Sequence, residues 1–81
     1  MNQIYARATL SQREAEVFRL LGDGKTTLEI AAKLKIGTKT VHAYCDRLKQ
    51  KMKVANIRQL VRIAVLWRAG VAEIVVRARG A

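Results

Sequence analysis

One histidine, His42, and one cysteine, Cys45, stand three positions apart in an 81-residue chain. A histidine can serve as a base and a cysteine as a nucleophile, and both ligate metals, so the pair is the first candidate for chemistry. Helical geometry separates them. On a wheel of 100° per residue with Val41 at zero, Tyr44, Cys45, Leu48 and Met52 fall within about 60° of the apolar centre and face inward. Lys39, His42, Ala43, Asp46, Arg47 and Gln50 fall on the opposite side. No second ligand lies at helical spacing from His42, and Cys45 reads as a small buried hydrophobe. A large substrate cavity would remove core that a domain of 9.1 kDa needs. Catalysis, a metal, a cofactor and a small-molecule ligand are therefore not expected.

The outward face offers a different chemistry. Its small, polar and basic side chains can meet base edges and phosphates in a DNA major groove. The charge balance agrees: 16 Lys and Arg against 6 Asp and Glu give +10. Residues 1 to 40 carry 7 basic and 4 acidic groups, net +3, whereas residues 41 to 81 carry 9 and 2, net +7. A polyanion is the expected partner, nucleic acid before an anionic membrane, with solubility alone as the plainer reading of the charge.

Such a face needs helices that hold it out, and the sequence supplies their starts and stops. A hydrophobic fraction of 51% implies a folded domain, and the chain has no proline and five glycines. Ser11 with Glu14 forms a capping-box pattern, Val17, Phe18 and Leu21 make a stripe, and Gly22-Asp23-Gly24 supplies a left-handed stop, so a first helix runs from about Gln12 to Leu21. The pattern recurs in Thr26-Thr27-Leu28-Glu29, and a short second helix from Thr27 buries Ile30, Ala31 and Leu34. Lys35-Ile36-Gly37 is a tight turn, and Thr38 is expected to cap a third helix ending near Lys51 or Met52. Two helices joined so briefly cross steeply, as in a helix-turn-helix. Lys35 stands where that turn usually has glycine, which predicts a lysine with positive φ.

Asn56 is a cap for a fourth helix with Ile57, Leu60, Val61, Ala64 and Trp67 on its core stripe. Ile63 and Leu66 lie off that stripe with Gln59 between them, an available interface for a second copy. The alternative is that they pack beneath the C-terminal tail. Val71 to Val76 can extend the helix, add a short strand or form a loosely packed end. The expected fold class is all-α, a four-helix domain over residues 10–69, with an N-terminal arm or linker over 1–9 and a tail over 70–81.

From Leu10 to about Trp67 the chain resembles the LuxR-type, or NarL/FixJ-type, DNA-binding domain of bacterial transcription regulators. The likeness rests on Leu10-Ser11-x-Arg13-Glu14-x-Glu16-Val17, on Gly24-Lys25-Thr26-Thr27-x-Glu29-Ile30-Ala31, on Thr40-Val41, and on Leu48-x-x-Lys51-Met52-x-Val54 with Asn56 in register. The resemblance implies a tetrahelical domain whose third helix reads the major groove of double-stranded DNA and whose fourth helix pairs two copies. It implies base contacts at His42, Ala43 and Asp46. Backbone contacts fall to Thr38, Lys39, Thr40, Arg47 and Lys51, with Gln50 beside them on the outward face. Asp46 stands where many relatives carry a basic or neutral residue, and Tyr44 where histidine is frequent. An acidic group there repels phosphates unless it accepts from a cytosine amine or holds Arg47 in place. Relatives often join this domain to a receiver or a ligand-binding domain, so the chain reads as a stand-alone regulator or the output end of a longer one.

The competing class is a protein-interaction module that uses the fourth helix to bind another regulator or RNA polymerase. RNA binding fits less well, because Phe18, Tyr44 and Trp67 are assigned to the core and leave no stacking platform. A single cysteine excludes an internal disulfide, and no segment has the ~20 apolar residues of a membrane span, so a cytoplasmic, membrane-free setting is expected.

Overall fold

The Ser11 hydroxyl accepts from the Glu14 amide at 3.1 Å and the Glu14 carboxylate accepts from the Ser11 amide at 2.9 Å, so the expected capping box opens α1, Gln12–Gly22. A computed structural model describes residues 9–77. Three further helices follow: α2, Thr27–Leu34, α3, Thr38–Met52, and α4, Ile57–Arg68. Thr26 and Glu29 form the second capping box, and the Asn56 carboxamide accepts from the Gln59 amide at 2.9 Å. The cap of α3 departs from expectation. Gly37, not Thr38, occupies the cap position, with no side-chain hydrogen bond, while Thr38 is already the first helical residue.

The stop after α1 falls in the expected segment. Gly24, at φ 86°, is the left-handed residue, and the amides of Lys25 and Gly24 donate to the carbonyls of Leu20 and Leu21, each at 3.0 Å, which satisfies the orphan end of the helix. Gly22 remains helical and serves packing instead: a Cβ built there would lie 2.7 Å from the Ala64 carbonyl oxygen on α4. The turn between α2 and α3 is as expected, with Lys35 at φ 59° and the Ile36 amide donating to the Ala31 carbonyl at 3.1 Å. Lys53 closes α3 in the same conformation, at φ 58°.

The core joins all four helices. Phe18, Ile30, Val41, Leu48, Met52 and Leu60 are fully buried, and Ala31 lies buried against them in the helix-turn-helix. Leu34, Ile36 and Tyr44 are half-buried around it. Trp67 stacks on Phe18 with ring centroids 5.2 Å apart, and the Arg19 guanidinium covers the indole at 5.5 Å. Along α4 the buried residues are Leu60, Ile63 and Ala64, while Ile57 is exposed. The core stripe is thus rotated from the one expected, as α4 packs against both α1 and α3.

Of the three courses open to the tail, the chain takes the short strand. β2, Val75–Val76, pairs in parallel with β1, Thr9–Leu10. The Arg77 amide donates to the Leu10 carbonyl and the Gln12 carboxamide to the Arg77 carbonyl, both at 2.7 Å. The expected N-terminal arm, apart from Thr9, and tail residues 78–81 lie outside the described residues.

Candidate nucleic-acid interface

α3 separates its side chains as periodicity requires. Val41, Cys45, Leu48 and Met52 are buried, and Lys39, Thr40, His42, Ala43, Asp46, Arg47 and Gln50 are exposed on one continuous side. Thr38 is half-buried at the start of the helix. Gly37 provides no side-chain cap and the first turn contains no acidic residue, so no side chain of the helix start occupies the first amides of α3. An anion approaching there meets amide donors and the positive helix end together. The start of α2 contrasts with it, since Thr26 and Glu29 already fill that end.

Arg47 is held by two neighbours. Its guanidinium lies 5.0 Å from the centroid of the Tyr44 ring and 4.0 Å from a carboxylate oxygen of Glu14. Tyr44 thus gives Arg47 a flat support. Asp46 does not orient Arg47 in this arrangement. It lies 3.3 Å from the Lys49 ammonium, one turn along α3. The exposed carboxylate still faces outward and can accept from a base amine.

Lys51 stands apart from the rest of the expected set. Its ammonium donates to the Glu14 carboxylate at 2.7 Å and to the Thr9 carbonyl at 2.9 Å, so it ties α3 to α1 and β1 instead of projecting from the face. Glu14 is only 3% exposed and receives Lys51, the Ser11 amide and the more distant Arg47. Burial by itself raises the carboxyl pKa, but hydrogen bonds from Lys51 and the Ser11 amide, with the Lys51 charge, overcome it and hold the group below its ordinary value. The capping role of Glu14 was visible in the sequence; its place beneath two basic residues of α3 was not, because nothing local marks a partner 37 positions away.

The single thiol sits against the core, and burial followed by the nearby Asp46 charge pushes the Cys45 pKa up. Among the described residues no three His, Cys, Asp or Glu side chains stand close enough to hold a metal ion, and no helix is long and apolar enough to cross a membrane. The second-copy interface read from the sequence is altered. Gln59 and Leu66 are exposed, but Ile63, at 3%, belongs to the core and cannot form the contact surface. Gln59 also accepts from the Ala55 amide at 2.8 Å, closing the turn before α4.

Residues 8–64 match the family described as bacterial regulatory proteins, luxR family, and this span holds all four helix starts and the whole helix-turn-helix. The chain belongs to the luxR family. It is 45% identical over 56 residues to the transcriptional activator protein ExaE of Pseudomonas putida, a match covering 69% of this chain and 26% of that protein. The spore germination protein GerE of Bacillus subtilis is 41% identical over 59 residues, covering 73% of the chain and 80% of GerE. The DNA-binding transcriptional activator EvgA of Escherichia coli is 38% identical over 56 residues, covering 69% and 28%. The chain therefore spans little more than a quarter of ExaE and EvgA but most of GerE. The family is one of bacterial regulatory proteins, and ExaE and EvgA are each named as transcriptional activators.

Proposed function

We propose that the chain binds double-stranded DNA sequence-specifically and regulates transcription, with α3 in the major groove. The supporting observation is the continuous exposed side of α3 opposite its buried stripe, combined with luxR-family membership. In this reading His42, Ala43 and Asp46 approach base edges. Thr38, Lys39, Thr40, Arg47 and Gln50 approach phosphates, helped by the uncapped first turn of α3. Lys51 is withdrawn from the phosphate contacts because two of its donors are spent within the domain. Residues 10–69 form the DNA-binding unit, and the strand pair closes its base.

A second reading adds a homodimer on DNA, with Gln59 and Leu66 of α4 at the contact. Leu66 supports it, being an apolar side chain 37% exposed. Arg58 and Arg62 flank the contact and α4 contains no acidic residue, so pairing is expected on the polyanion and opposed away from it.

Fluorescence anisotropy with random-pool and promoter duplexes, from about 50 to 200 mM salt, tests the main reading. Tight binding to a subset that persists at the upper salt supports sequence reading, and His42→Ala then changes preference among sites. Uniform binding that collapses with salt would leave a domain that only touches phosphates, and no binding would refute the proposal.

A further inference from the structure

Tyr44 and Arg47 stand three positions apart on α3, the spacing at which helix side chains meet on one surface. The guanidinium lies over the Tyr44 ring, 5.0 Å from its centroid. A stacked guanidinium gives its flat face to the ring and keeps its edge N–H groups for other acceptors. The Glu14 carboxylate attracts the same group from 4.0 Å, beyond hydrogen-bond distance, so it restrains the guanidinium without taking a donor. Among the described residues Arg47 donates no side-chain hydrogen bond, and its side chain is 52% exposed.

The other cations of α3 are placed differently. Lys49 lies 3.3 Å from Asp46, and Lys51 donates to Glu14 and to the Thr9 carbonyl. Lys39 is exposed and has no aromatic ring beneath it among the described residues. Arg47 is thus the cation of α3 that is held at its face and open at its edge. The ring that holds it is itself anchored, since Tyr44 is half-buried and packs against the core. An arginine stem has several free torsions, and ordering it on a ligand costs free energy at the moment of binding. A ring fixed to the core on the same helix moves part of that ordering into folding.

We infer that Tyr44 is a positioning residue for DNA binding: its ring, with the Glu14 carboxylate, pre-orders Arg47 so that the guanidinium edge meets a backbone phosphate. The inference rests on the reading of α3 as the DNA-binding helix. In this arrangement Tyr44 acts through Arg47 and makes no phosphate contact of its own. Removing the ring therefore leaves the charge of the interface intact, and affinity falls while the number of phosphate contacts does not.

The test uses the full chain with Tyr44→Leu, which keeps an apolar side chain on the core, and Tyr44→Phe, which keeps the ring. Without DNA, the shifts of the Arg47 Hδ and Hε protons are measured by NMR, with a dispersed spectrum showing that each variant is folded. The ring current displaces these protons in the parent and in Tyr44→Phe, and the displacement disappears in Tyr44→Leu. With DNA, fluorescence anisotropy on a random-pool duplex from about 50 to 200 mM salt gives Tyr44→Leu a Kd about three- to tenfold higher at an unchanged salt slope. Tyr44→Phe binds as the parent does. In an Arg47→Ala background Tyr44→Leu has no further effect, whereas in a Lys39→Ala background its full effect remains.

Unchanged affinity in Tyr44→Leu, on a parent that binds the duplex, would overturn the positioning role and leave α3 as the DNA-binding helix. A loss in Tyr44→Phe equal to that in Tyr44→Leu would overturn it too, by giving the tyrosine hydroxyl a phosphate contact of its own. A loss that persists in Arg47→Ala would make Tyr44 a support of the fold alone. Arg47 protons without a ring-current shift in the parent would remove the stack itself. A parent that binds no duplex would refute the inference together with the reading beneath it.

Discussion

The Lys51 ammonium lies 2.7 Å from the carboxylate of Glu14, a residue 37 positions earlier and 3% exposed, and the contact fastens the C-terminal half of α3 to the start of α1. A lysine that the family resemblance assigns to DNA phosphate is thereby bonded within the domain. The carboxylate that holds it also lies within reach of Arg47, at 4.0 Å, so one buried group bears on both cations.

Lys51→Ala is expected to destabilise the domain by about 1 to 3 kcal/mol, below the range for a fully buried pair because the lysine side chain is partly exposed. Urea unfolding of Lys51→Ala, Glu14→Gln and the double variant checks this. Non-additivity, with the double variant less destabilised than the two losses combined, is the expected outcome. Strict additivity would mean that the pair is not coupled.

Acid should weaken the fold through the same carboxylate. Glu14 and Glu29 both sit below the ordinary carboxylate value when folded, Glu29 chiefly through the Thr26 amide. Their stabilisation is present above the unfolded value and is lost as pH falls through the lowered folded values. Urea midpoints measured from about pH 5 down to about pH 3 should decline, and Glu14→Gln should show a shallower decline. Identical slopes would contradict the assignment.

Gly22→Ala tests a close approach of α1 and α4. Its Cβ would meet the Ala64 carbonyl oxygen and the Arg68 Cγ, each at 2.7 Å, and the carbonyl cannot step aside without moving α4. A loss of about 1 to 3 kcal/mol by chemical denaturation is expected, despite the better helix propensity of alanine. No loss would mean that the two helices shift apart freely.

Lys35→Gly should have the opposite sign. Relief of the left-handed strain at φ 59° exceeds the entropy that glycine adds to the unfolded chain, for a net gain of about 0.5 to 1 kcal/mol and a melting temperature higher by about 2 to 8 °C. A lower melting temperature would show that the lysine makes a compensating contact.

On DNA, Arg47→Ala and Lys39→Ala should each flatten the salt dependence by about one unit, as expected for one lost phosphate contact. Lys51→Ala, measured where it remains folded, should leave the slope unchanged. A flattened slope in Lys51→Ala would return that lysine to the interface.

The helix starts were legible because capping is local: Ser11 with Glu14, Thr26 with Glu29 and Asn56 with Gln59 each bond three positions apart. The two sides of α3 followed from a single periodicity: its buried residues are among those the wheel selects, while Tyr44, also selected, is half-buried beneath Arg47. The cap of α3 was less legible, since Gly37 and Thr38 are both acceptable at a helix start and only the backbone path through the preceding turn distinguishes them.

The sequence by itself thus determined the family, the four helices and the exposed side of α3, all of which depend on neighbours within one or two turns. The tertiary structure decided the rest. Ile57 and Ile63 are chemically identical residues on different flanks of one helix, and only the packing of α4 against α1 and α3 makes Ile63 core and leaves Ile57 exposed. Lys51 and Arg47 are both cations of α3, and only the buried carboxylate of Glu14 and the carbonyl of Thr9 turn Lys51 inward. The two-residue strands carry no pattern long enough to read, and the packing of α1 on α4 accompanies the pairing of segments 66 positions apart. In each case the deciding partner is far away in the chain, where neither periodicity nor capping carries information.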